Sequence, residues 1–208
     1  MGDLWEVDAL QRTIFAEAGF EPDAIVPMVK LARALGMDVD TVRPAHFPGD
    51  GAFCHFQGQR RIFIRGGISH DRKRFACAHE IAEAKLPENL QASPHVEDIC
   101  NTLAAALLAP RRAFTRRHNE VGDDWEQLAI PFGMTQTSAA LRAGETEDIA
   151  LAVVSKIMRT RGPEEFVWPS EPTIRGWVRR TPPGLAKTRL TDDPKRVVLV
   201  ADMAMMVA

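Results

Sequence analysis

Apolar residues recur at helical spacing over Leu4, Val7, Leu10, Ile14 and Ala18, a pattern that predicts an amphipathic helix ending at Gly19. A second helix is expected from Asp23, a candidate cap, with Ile25, Val29 and Ala32 on one face, Met28 and Leu35 flanking, and Gly36 as the left-handed stop. Residues 37–51, with two Pro and two Gly, read as a connection. The β-prone runs Ala52 to Phe56 and Arg61 to Arg65 flank Gln57-Gly58-Gln59-Arg60 and predict a β-hairpin. From Asp71 to Leu86 there is no Gly or Pro, and Phe75, Ala78, Ala82 and Leu86 fall on adjoining helical positions ahead of Pro87. Ser93-Pro94 opens a fourth helix running to Ala109, so apolar from Leu103 to Leu108 that a central position is expected for it. Helices also suit Asp124 to Ile130 and Thr137 to Met158.

The texture changes near residue 161, where prolines break helical continuity and Arg and Lys accumulate, so the chain is expected to divide into a body, 1–160, and an appendage, 161–208. The run Arg196 to Val200 predicts a strand within that appendage. The fold class that follows is α+β: a mainly helical body, a small antiparallel sheet and a β-containing C-terminal appendage.

Composition adds exclusions. With 208 residues, 45% hydrophobic and 26% charged, the chain buries enough apolar surface to fold without staples. A formal net charge of −2 provides no global basic field for nucleic acid. Residues 123–143 have a helix-turn-helix-like pattern, yet Arg142 is the one basic residue there, against Asp123, Asp124 and Glu126, which argues against DNA binding by that segment. Seven basic against three acidic residues in 170–197, with Trp177, leave a partner contact open for the tail, beside the plainer reading of a solvated surface. Trp5, Trp125 and Trp168 read as packing anchors, and Met203, Met205 and Met206 as core or interface filler. Cys54, Cys77 and Cys100 form no C-x-x-C pair and read as reduced thiols. No basic n-region precedes an apolar core at the N-terminus, and no run is long enough to span a bilayer, so a cytoplasmic protein is expected.

The chemistry concentrates on the third helix, in His79-Glu80-Ile81-Ala82-Glu83. His79 and Glu83 lie one turn apart on one face. The pentapeptide is one residue short of H-E-x-x-H, in which two histidines hold zinc and the glutamate takes a proton from the zinc-bound water. A carboxylate at Glu83 remains an acceptable metal donor, and an antiparallel helix pair would bring Glu97 against His79 and Glu83. One nitrogen with several carboxylates is less selective for zinc, and manganese or iron enter as alternatives. The plainer reading makes Glu80 and Glu83 solvated charges partnered by Lys85 and Arg74.

Three stretches together carry a family resemblance: Arg74-Phe75-Ala76-Cys77-Ala78-His79-Glu80, then Glu97-Asp98-Ile99-Cys100-Asn101, then Leu103-Ala104-Ala105-Ala106-Leu107-Leu108-Ala109-Pro110. In order and spacing they resemble the ImmA/IrrE family of metallo-endopeptidases, as does Leu128-Ala129-Ile130-Pro131-Phe132 farther on, and the likeness spans about residues 20–145. The resemblance implies a zincin-like body, His79 and Glu97 as metal ligands with Glu83 at the second histidine's position, and Glu80 as the catalytic general base acting on a metal-bound water. His95 or His55 offers a substitute donor. It also implies zinc-dependent hydrolysis of a peptide bond in a helix-turn-helix DNA-binding repressor, in transcription regulation and stress response. The alternative is a family member that binds a repressor or toxin-antitoxin partner without cutting it, and Glu83 separates the two.

Overall fold

The computed structural model describes residues 4–43, 47, 49–146, 150–154, 158–161, 170–172, 174–175, 185–190 and 196–201. In chain order these form α1 (Leu4–Glu17), α2 (Met28–Ala34), β1 (Met37–Val42), β2 (Gly51–Phe56), β3 (Gln59–Arg65), α3 (His70–Lys85), α4 (Glu88–Gln91) and α5 (Val96–Leu108). There follow α6 (Arg111–Val121), α7 (Trp125–Ala129), a 3-10 turn at Ile130–Phe132, α8 (Gln136–Thr146), β4 (Ala150–Val154), β5 (Arg159–Arg161), β6 (Leu185–Arg189) and β7 (Val197–Ala201). The fold is α+β, as expected, with helices outweighing two small, mostly antiparallel sheets. It comprises two units, Met1–Ala113 with Pro131–Met134, and Phe114–Ile130 with Thr135–Ala208.

In the first unit the sheet runs β1-β3-β2. The predicted hairpin is present: Gln57 and Gly58 both have positive φ, the geometry of a two-residue turn that matches strand twist, and Phe56 pairs with Gln59. Helix α3 starts at Ser69, whose side chain accepts from the Arg72 N–H, and ends ahead of Pro87. It packs on β2 and β3 and also on α5, where Ala78 and Ala82 of α3 and Ala104 and Ala106 of α5 are all buried. The small side chains let the two backbones approach. Arg74 of α3 donates to the Phe132 carbonyl at 3.1 Å and thereby holds Pro131–Met134 in this unit.

In the second unit β5-β4-β7-β6 form an antiparallel sheet, with Ala152, Val154, Val197 and Leu199 packed around Ile174. This sheet joins β4, which precedes residue 161, to β6 and β7, which follow it. Trp125 is buried, as a packing anchor should be. Trp168, Trp177, Met203, Met205 and Met206 lie outside the described residues, as does the side chain of Trp5.

Several local expectations change. Helix α2 begins at Met28 rather than Asp23, because Pro27 holds Val26 in extended backbone, and its buried face is Met28, Leu31 and Ala32, leaving Val29 exposed. Residues 37–42 are a strand, not a connection: β1 pairs in parallel with β3, a non-local partnership. Helix α5 starts at Val96, after α4 and a turn in which Ser93 Oγ accepts from the His95 N–H. The helix expected to reach Met158 stops at Thr146, and Ala150–Val154 becomes a fully buried strand, since an apolar run buried on both faces carries no period to distinguish strand from helix. In α8 almost every residue is buried, and Arg142 faces Glu145 at 3.5 Å, so this helix has no free face to lay in a DNA groove. Among the described residues no helix is long and apolar enough to cross a membrane, and the three cysteines are free thiols.

Gly133 has φ +56, and a Cβ there would sit 2.6 Å from Arg74 Nε. Gly133→Ala should therefore lower stability by about 2 kcal/mol in a urea titration, from left-handed strain and the displaced arginine. An unchanged midpoint would show that the Arg74 clamp is not under steric constraint.

Candidate metal centre

The packing of α3 between the hairpin and α5 sorts its charged residues by face. Glu80 points inward and is 5% exposed, whereas Glu83 is exposed. His79 is half-buried between them. Lys85 is turned to Glu17 at 2.6 Å and Arg74 to the Phe132 carbonyl, so neither plays the charge-partner role that a solvated-helix reading requires.

Asn101, one turn beyond Glu97 on α5, meets His79: its Oδ1 lies 3.2 Å from the imidazole Nδ1. An amide oxygen only accepts, so Nδ1 carries a proton in this contact, and in the neutral ring Nε2 is then the nitrogen with the lone pair. Nε2 is 3.7 Å from Glu97 Oε2. Two donors at zinc-ligand distance from one ion in tetrahedral array stand about 3.4 Å apart, so this gap has the size an ion would span. His79, Glu80 and Glu83 each offer a donor atom, all within 4.8 Å of one another.

The structure thus brings His79, Glu80 and Glu83 into one group, with Glu97 reaching the group through His79 from an 82% exposed side chain. His55, at the exposed end of β2 against Phe53, and His95, exposed ahead of α5, are not in a metal-sized group among the described residues. The donor set fits a divalent cation on a further observation: Glu80 Oε2 is buried without a hydrogen-bond partner, a costly arrangement unless a cation or water faces it.

Sequence reading gave no role to three further residues. Asn101 fixes the tautomer of His79. Gly51 makes room for Glu80, since a Cβ there would lie 2.6 Å from Glu80 Oε1. Phe53 hydrogen-bonds Glu80 through its backbone. In a hairpin closed at Phe56–Gln59, the pair Phe53–Ile62 is a non-hydrogen-bonded one, so the Phe53 N–H points off the free edge of β2. The available signal was Gly51 at a strand start facing a helix that carries acidic residues.

Burial, and next the Glu83 carboxylate, push Glu80 up from the ordinary 4.5 to about 7; the Phe53 hydrogen bond opposes this, and Glu97 adds to it. Burial also raises Cys77 to about 12 and Cys100 to about 11, the first helped by Glu80 and the second by Glu83, Glu97 and Glu80. Both thiols are protonated at neutral pH and supply neither nucleophile nor ligand in this state.

The profile of the IrrE N-terminal-like domain, Peptidase_M78, matches residues 32–143, which include all four of these polar residues of α3 and α5. No curated protein matches the chain. A solved structure of a Mycobacterium tuberculosis transcriptional regulator aligns with TM-score 0.66 at 14% identity, over 96% of this chain and 76% of that one. At this identity the likeness is one of fold.

Glu80 gives the metal-free protein a distinctive pH dependence. Its folded-state value lies above its unfolded one, so the folded form holds a proton that the unfolded form has lost between about pH 4.5 and 7. Stability should fall by about 3 kcal/mol across that window and level off above it. Urea titrations of metal-free Glu80→Gln should lack this decline; an equal decline in the variant would assign it to another group.

Proposed function

The chain belongs to the Peptidase_M78 family, and on that premise we propose that it is a metal-dependent endopeptidase whose substrate is a DNA-binding repressor-type protein. The observation that carries this reading is Glu80: a buried carboxylate with an unpartnered oxygen, raised to about 7, beside an imidazole whose Nε2 faces Glu97. His79, Glu83 and Glu97 are the residues that would hold the metal. Zinc is the ion the family resemblance implies, and one imidazole among carboxylates also admits manganese or iron. When bound, a divalent ion supplies Lewis acidity that polarises the scissile carbonyl and acidifies water.

Glu80 takes the proton from the attacking water and delivers it to the leaving amine. A base with a value near 7 suits this work at neutral pH. Asn101 orients the His79 ring so that Nε2 is aimed at the site. Gly51 and the Phe53 N–H hold Glu80 against the sheet edge. With the Phe53 N–H given to Glu80, the outward Phe53 carbonyl and the backbone groups of His55 form the edge along which an extended substrate pairs. The protein acts in the cytoplasm, in transcription regulation under stress.

A second reading, partner binding without hydrolysis, draws support from Glu83, which stands where a second histidine would and is exposed. One experiment separates them: wild type and Glu80→Gln, both metal-loaded, incubated with a proteome-derived peptide library and read by mass spectrometry for new termini. Wild type should cut and Glu80→Gln should be at least about a hundredfold slower with unchanged metal content. Equal cutting would remove Glu80 from the reaction, and no cutting by wild type would favour the binding-only reading.

A further inference from the structure

Among the described residues, no Lys or Arg pairs with the acidic side chains around His79. Lys85 is bound to Glu17, Arg72 to Asp50, Arg74 to the Phe132 carbonyl and Arg111 to Asp8. Among the described residues Glu83 makes no ion pair, and Glu97 meets His79 alone. Glu80, 5% exposed and with Oε2 unpartnered, faces into the same cluster.

A divalent ion does not balance this charge. Two histidines and two glutamates around one such ion make a neutral set, whereas exchanging a histidine for Glu83 leaves one negative charge in excess. Glu83 and Glu97 carry that excess at the solvent-facing side of the cluster, where both are exposed. Glu80 is bonded to the Phe53 backbone at the free edge of β2 and shares a 4.8 Å donor group with Glu83, so a segment laid along that edge reaches the acidic group, where a neutral side chain gains nothing and an acidic one is repelled.

We propose that the substrate is an extended peptide segment with a lysine or arginine side chain next to the scissile bond, recognised by the excess negative charge that Glu83 brings to the site. The proposal rests on the endopeptidase reading for the word scissile, while the charge preference itself is a property of binding. Glu83 thereby determines specificity as well as holding metal.

The test uses full-length, zinc-loaded wild-type protein and peptides whose central amide bond is replaced by an uncharged, uncleavable ketomethylene isostere, so that binding is measured without cleavage and with the charge of the site intact. Short fluorescent peptides, identical except for a central Lys-Lys, Ser-Ser or Glu-Glu, are titrated by anisotropy at low and high salt. The lysine peptide should bind about tenfold more tightly than the serine peptide, with the advantage shrinking at high salt. In Glu83→His, which keeps a metal donor and removes the excess charge, that advantage should fall several-fold, with zinc content confirmed by elemental analysis. Equal binding of all three peptides, no binding of any, preference for the glutamate peptide, or a lysine preference that survives Glu83→His would each overturn the proposal. Wild type is then given the same sequences with an ordinary amide bond: if the lysine peptide binds yet stays uncut, the charge preference stands and the endopeptidase reading falls.

Discussion

A carboxylate taken out of water is the constraint on which this site depends. Glu80 lies on the buried face of α3, pressed against the one position of β2 that has no side chain, Gly51, and tied to the Phe53 backbone at the strand's free edge. Burying a charged group without a full set of partners costs several kcal/mol, and natural folds tolerate it chiefly where a cation or a reaction uses the group. The surroundings are built to hold the carboxylate there: the hairpin turn fixes the register of β2, and the alanines of α3 and α5 fix the distance between the helices that bear His79 and Glu97. Arg74 ties the Phe132–Gly133 segment to the same helix, one turn before His79.

The local charge balance follows from that geometry. His79 is locked by Asn101 into the tautomer that presents Nε2, so the nitrogen donor is well defined, while the oxygen donors are numerous and partly exposed. A site of this composition binds metal through charge more than through softness. Family membership, shown over residues 32–143, and the donor set agree on a metal. Glu83 is where this chain departs from the two-histidine pattern, and under the function proposed above it bears on metal choice, turnover and substrate charge together.

Much of the first unit was legible because its signals are local. The hairpin has its Gly turn, α3 its serine cap and its run without Gly or Pro, and the H-E-x-x-E spacing puts His79 and Glu83 on one face without reference to anything distant. What escaped is non-local. Strand β1 is defined by a parallel partner more than twenty positions on, in the register Met37 to Arg60, and β4 takes β7, Val197–Ala201, as its distant partner. The Asn101–His79 contact, the Gly51–Glu80 fit and the depth of Glu80 are set by how α3, α5 and β2 pack, and side-chain identity alone does not encode them. Helix α2 was misread for a different reason, since the proline at its start outweighed the apolar spacing before it.

The central claim is that Glu83 belongs to a working metal centre, and elemental analysis tests it most directly. Wild type, His79→Ala and Glu83→Ala would be purified, dialysed against metal-free buffer and assayed for zinc, manganese and iron. The account predicts near-stoichiometric metal in wild type and its loss from both variants. Full retention in Glu83→Ala, or a wild type that takes up no metal even when it is added back, would contradict it.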